Sequence, residues 1–89
     1  MGRSKIEIYI AILEALVTNG AMRPNKITCE TSINYSLVKK AVLDLQNKQL
    51  VEEKKINKGH AYAATPKGKF TLSQFKELSK YLPVFEIIA

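Results

Sequence analysis

The chain has 89 residues, 46% of them hydrophobic and 25% charged, with 14 Lys and Arg against 8 Asp and Glu for a formal net charge of +6. That is room for one domain around one core: it excludes a cleft enzyme with a separate substrate domain and is too apolar for a disordered segment. So large a positive excess on so small a surface attracts polyanions, and nucleic acid leads as the expected partner.

Membrane is the competing polyanion. The longest apolar run, Ile8 to Leu13, falls far short of the roughly 20 residues that cross a bilayer. Lys5, Glu7 and Glu14 interrupt any leader-like segment, so a cytoplasmic, nucleoid-associated protein is expected. Cys29 is the sole cysteine, which excludes an internal disulfide and a thiolate zinc site within one chain; its expected role is a buried small hydrophobe. His60 is the sole histidine and reads as a solvated loop residue rather than a ligand. Neither metal nor cofactor is expected, and the sequence names no small-molecule effector.

Helix one is predicted over residues 5–18, where Tyr9, Ile12, Leu13 and Leu16 recur at i, i+3, i+4 and i+7 and Asn19-Gly20 supplies the stop. A second stripe, Ile6, Ile10, Leu13 and Val17, runs round its side. A helix apolar on so much of its circumference is buried by more than one neighbour, and a second copy of the chain could supply one. Helix two is predicted over 24–30, with Pro24 in the first turn, Ile27 as inward anchor and Glu30-Thr31-Ser32 as the turn that ends it. Asn34 is a strong N-cap candidate for helix three, predicted over 35–48. There Leu37, Val38, Ala41, Val42 and Leu45 form the apolar face, while Ser36, Lys39, Lys40, Leu43 and Asn47 lie on or near the other side. Leu43 breaks that division; it packs under the following segment or touches a partner.

Residues 50–65 are predicted to form a hairpin, with Val51, Ile56, Tyr62 and Ala64 as its apolar points and Lys58-Gly59 as the reversal. Thr65-Pro66 then supplies an N-cap and an N1 proline for helix four over 66–82, carrying Leu72, Phe75, Leu78 and Leu82 at helical spacing. Pro83 stops it. The tail 83–89 is apolar, unlike a frayed terminus, and needs a cover.

The predicted fold is mainly α with a small β-hairpin (α+β), in the order helix, short helix, turn, polar-faced helix, hairpin, helix. That is the order of a winged helix-turn-helix. The run from Ile27-Thr28-Cys29-Glu30-Thr31-Ser32-Ile33-Asn34-Tyr35-Ser36-Leu37-Val38-Lys39 through Leu45 to Leu50-Val51-Glu52, with Tyr62 and Thr65-Pro66-Lys67-Gly68, resembles the small archaeal winged-helix DNA-binding proteins of about ten kilodaltons. The resemblance covers nearly the whole chain. It implies a homodimer joined through a long final helix in an antiparallel coiled coil. Pro83 departs from that pattern, so a more compact interface is expected from Ile6, Ile10, Val17, Phe75, Tyr81, Phe85, Ile87 and Ile88.

Duplex recognition needs phosphate contacts for affinity and base contacts for discrimination. Asn34, Tyr35 and Ser36 sit where a recognition helix presents its start to the major groove; Asn34 either caps the helix or pairs with adenine, and Tyr35 either meets the nucleic acid or packs against helix two. Lys39 and Lys40 suit phosphates or a guanine edge. The wing adds Lys54, Lys55, Lys58 and His60, with Glu52 and Glu53 limiting contact to its outer half. Arg23 and Lys26 near the start of helix two could reach flanking phosphates. Gly59 and Gly68 are isolated rather than part of a phosphate loop, no nucleophile has a histidine base, and the carboxylates are scattered, so no enzyme is expected. The alternative is a winged-helix protein-interaction module in a transcription or replication assembly. RNA is disfavoured because the few aromatics are committed to apolar stripes.

Overall fold

A computed structural model describes residues 4–81. The elements run α1 (Lys5–Asn19), α2 (Pro24–Thr31), α3 (Tyr35–Asn47), β1 (Val51–Ile56), β2 (Gly59–Ala64) and α4 (Pro66–Ser79). This is the expected α+β order, four helices and one antiparallel hairpin. Among the described residues no helix is long and apolar enough to cross a membrane.

A capping box starts α1: Ser4 Oγ accepts from the Glu7 amide at 3.3 Å, and Glu7 Oε1 accepts from the Ser4 amide at 3.0 Å. Gly20 stops it at φ +83, its amide donating to the Leu16 carbonyl at 2.9 Å. Inward, α1 buries Ile12, Leu13 and Leu16.

Only Ile27 and Thr31, one turn apart, are buried on the short α2. Thr31 extends the helix a residue past the predicted end and then makes the turn: its hydroxyl donates to the Ile27 carbonyl at 2.7 Å and accepts from the Ile33 amide at 3.3 Å. Ser32 takes the left-handed conformation, φ +60. Cys29 is exposed, contrary to the buried role expected for it, because an eight-residue helix with one inward row leaves it on the outer side.

Val38, Ala41, Val42 and Leu45 of α3 enter the core, but Leu37, expected with them, is 45% exposed. The buried arc is narrower than the run of apolar residues, and Leu37 falls at its edge. Gln49, at φ +64, closes the helix, and the Leu50 amide donates back to the Leu45 carbonyl at 2.9 Å.

The hairpin pairs Val51 with Ala64 and Ile56 with Gly59. Its reversal is therefore Asn57-Lys58, one residue earlier than predicted, and Gly59 follows it at φ +110. Ile56 is exposed rather than buried. Met22 and Tyr62 exchange two backbone hydrogen bonds, of 2.9 and 2.8 Å, stitching the α1–α2 connection to β2.

One core joins Ile12, Leu13 and Leu16 to Met22, Ile27, Ile33, Val38, Val42, Leu45, Val51 and Leu72. Each such side chain stabilises the fold by about 1.5–3 kcal/mol when fully buried, so the core fixes α3 and the hairpin relative to each other.

Candidate nucleic-acid interface

Asn34 caps α3. Its Oδ1 accepts from the Ser36 amide at 2.8 Å, the Leu37 amide at 3.4 Å and the Ser36 hydroxyl at 2.8 Å. Two of the residues expected at a base edge are thus engaged with each other. Replacing Asn34 with alanine is expected to lower the unfolding free energy by about 1 kcal/mol in chemical denaturation, and Asn34→Ser to restore most of it.

Beyond the cap, Tyr35, Ser36, Lys39, Lys40, Leu43 and Asn47 are all exposed. Lys39 Nζ lies 5.8 Å from the Tyr35 ring centroid, a cation–π contact between successive turns of α3. On the α1 side, Tyr9 donates to Asp44, and Lys5 Nζ reaches the same carboxylate at 3.8 Å. Burial pushes the Tyr9 phenol up to about 12, with the hydrogen bond to Asp44 and its charge adding to the effect. That hydrogen bond in turn holds the Asp44 carboxyl below its ordinary value, helped by the charges of Lys48 and Lys5. The contribution of Tyr9 is present below its unfolded pKa of 10.0 and is lost as pH rises toward about 12. The contribution of Asp44 is present above the ordinary carboxylate pKa and is lost as pH falls through the lowered value.

Register divides the wing. Cross-strand partners share a face, so Glu53, Lys55, His60 and Tyr62 lie on one side of the hairpin, while Glu52, Lys54, Ile56 and Ala61 lie on the other. Tyr62 belongs to the side next to α3, where a groove of about 220 Å³ is lined by Pro24, Lys39, Val42, Leu43, Gln46 and Tyr62. Lys55 and His60 therefore join the side that meets α3, and Lys54 does not. His60 Nδ1 meets the Glu53 carboxylate on that face. Lys58 is exposed in the turn.

Arg23 is exposed at the start of α2 and makes no side-chain cap. Lys26 is held by Glu30 at 3.4 Å. Lys5, Lys76 and Lys80 are likewise ion-paired, with Asp44, Glu14 and Glu77. Among the described residues the lysines without an ion-pair partner are Lys39 and Lys40 on α3, Lys54, Lys55 and Lys58 on the hairpin, and Lys48, Lys67 and Lys69 outside both. Gln46 and Tyr62 join the site without having been expected there. Gln46 lies seven residues after Lys39, on the same side of the helix, and that spacing could have found it; Tyr62 needed the strand register.

The family model described as winged helix-turn-helix matches residues 2–82. The chain belongs to the winged helix-turn-helix family. No curated protein matches it. Among solved structures it is similar to BpsR of Bordetella bronchiseptica, whose DNA binding is regulated by 6-hydroxynicotinic acid, at 18% identity over 82% of this chain and 53% of that one, with a TM-score of 0.75. A MarR family transcriptional regulator from Silicibacter pomeroyi is 20% identical over 79% of this chain and 47% of its own, with a TM-score of 0.73. The Zalpha domain of Carassius auratus PKZ, in complex with Z-DNA, is 20% identical over 68% of this chain and 97% of its own, with a TM-score of 0.63. At such identities the shared property is the fold. The chain spans about half the length of the two regulators.

Elsewhere on this winged helix, Ile6, Ile10 and Phe75 are half-buried, Val17 is 41% exposed and Tyr81 is 76% exposed. Phe85, Ile87 and Ile88, with Leu82 and the rest of the tail, lie outside the described residues. Phe70, which no apolar stripe singles out, is 65% exposed. It projects from the side of α4 opposite Gly68 and Leu72, and Tyr81 lies two residues past the end of that helix.

Proposed function

We propose that this winged helix binds double-stranded DNA as a homodimeric transcriptional regulator or DNA-organising protein. In this reading α3 enters the major groove, with Tyr35, Ser36, Lys39 and Lys40 leading, and the side of the hairpin bearing Lys55 and His60, with Lys58 at its turn, follows the adjoining backbone. The observation that carries it is that every lysine of α3 and of the hairpin lacks an ion partner, whereas Lys5, Lys26, Lys76 and Lys80 are neutralised locally; Lys48, Lys67 and Lys69, also without one, lie outside these elements. A cation left without an acidic partner is free to displace counterions from phosphate. Arg23 contributes at the start of α2, whereas Lys26 would first have to leave Glu30. Asn34 acts through the cap, and Lys54 stands away from the duplex. Two of the similar structures, one a complex with Z-DNA and one a DNA binder regulated by a small molecule, agree with a nucleic-acid role.

Dimerisation is supported by apolar surface left open on elements other than α3 and the hairpin: Phe70, Leu78 and Tyr81 on and just after α4 and Val17 on α1 are all exposed. A two-fold pair would meet half-sites about one helical turn, roughly 34 Å, apart. Selection from a random duplex pool tests this reading. The expected outcome is retention above a protein-free control, with recovered sequences carrying inverted half-sites at that spacing. Retention no better than the control would overturn it.

A further inference from the structure

We propose that Leu43 reads DNA sequence by packing against the 5-methyl group of thymine, which gives the domain a preference for A·T pairs beneath the middle of α3. This rests on the duplex-binding reading above.

Leu43 is 60% exposed, more than any other large aliphatic side chain among the described residues. Single exposed leucines are ordinary on protein surfaces, so exposure alone carries nothing. Its position does. The residues three and four away along α3 are Lys39, Lys40, Gln46 and Asn47, all polar. Leu43 thus stands at the centre of the basic face, not at its margin beside the core. Leu37, the other exposed leucine of α3, differs: with Ile8, Tyr9 and Ala41 it lines the α1 side of a groove of about 570 Å³. Leu43 lines both this groove and the one that reaches Tyr62, so it forms the ridge between them.

A ridge of that kind faces the base edges when α3 lies in the major groove. The lysines beside it can bond to phosphates or to guanine, but a leucine can offer only apolar contact. In the major groove the thymine methyl is the one apolar group on a base edge. Leu43 also lies eight residues beyond Tyr35, about 12 Å along the helix axis. That spans roughly three stacked base pairs at 3.4 Å each, so Leu43 and the start of α3 would touch different pairs.

The test compares an alternating dA·dT duplex with the same duplex carrying dU for dT, which deletes the methyl and keeps the pairing. An alternating dG·dC duplex with and without 5-methylation of cytosine restores a methyl at the same place in the groove. Wild-type protein is expected to bind the dT duplex about fourfold more tightly than the dU duplex for each methyl contacted, and to gain affinity on cytosine methylation. In Leu43→Ala both differences should fall to near unity, while Tm, measured alongside, changes little because the side chain is exposed. Equal wild-type affinity for the dT and dU duplexes, or a methyl preference that survives in Leu43→Ala, would overturn the proposal and leave duplex binding standing. Failure to bind any of the four duplexes would overturn both.

Discussion

Replacing Lys39 and Lys40 together with alanine is expected to weaken duplex binding about 30-fold at moderate salt and to make its salt dependence shallower by about two in the log–log slope. Each ammonium held against a phosphate accounts for about 1 kcal/mol of that change and about one released counterion. The fold should barely register the substitution. Both side chains are exposed and neither has an ion-pair partner among the described residues. Within the protein the double variant removes the stacking of Lys39 over the Tyr35 ring at 5.8 Å, worth about 0.5–1 kcal/mol at an exposed site. Anisotropy titrations and thermal melts of the two proteins separate the effects. An undiminished affinity would favour a winged-helix protein-interaction module, in which the same basic face meets an acidic partner.

Gly68→Ala is expected to lower the unfolding free energy by about 3 kcal/mol, against the rule that alanine stabilises helix interiors by about 1 kcal/mol relative to glycine. A Cβ on Gly68 would stand 2.0 Å from the Leu50 carbonyl oxygen and 3.0 Å from its carbon. Those are backbone atoms, and the same carbonyl accepts the Thr65 amide at 3.1 Å, so it cannot swing aside without breaking that bond. The adjoining residues tighten the joint further. Thr65 Oγ1 accepts from the Gly68 amide at 2.9 Å and donates to the Gln49 carbonyl at 2.7 Å, while Lys67 Nζ donates to the Lys48 carbonyl at 3.2 Å. Thr65-Pro66-Lys67-Gly68 thus fastens the start of α4 onto the end of α3. For a domain of this size the loss corresponds to a fall in Tm of more than about 10 °C. A melt unchanged or raised in Gly68→Ala would contradict so tight a joint.

That joint marks the boundary between what the residues disclose alone and what needs coordinates. Thr65-Pro66 is legible as a cap because capping is local: the oxygen, the amide and the proline all lie within one turn. The close approach of Gly68 to Leu50 is a meeting of distant segments, and no spacing announces it. The same division recurs along the chain. Asn34 as a cap, Gly20 as a stop and the apolar rows of α1 and α3 follow from helical periodicity. Ser4-Lys5-Ile6-Glu7 is an equally local capping-box pattern, overlooked when the helix is found from its apolar stripe alone. By contrast, the exposure of Cys29 and Leu37 depended on how narrow the buried arcs of α2 and α3 turned out to be. On the wing, composition grouped Lys54, Lys55, Lys58 and His60. Pairing register then sent Lys54 to the opposite side of the hairpin from Lys55 and His60, because neighbours in a strand point apart. Tyr62, in sequence an apolar point of the hairpin, lines the groove beside Lys39 and Leu43.

The central claim is that α3 and one side of the wing together hold the phosphates of a duplex. Its most direct test is the salt dependence of duplex affinity. If about six phosphates are neutralised, log K should fall linearly against log salt with a slope near about −5. An affinity indifferent to salt over the same range would contradict the claim.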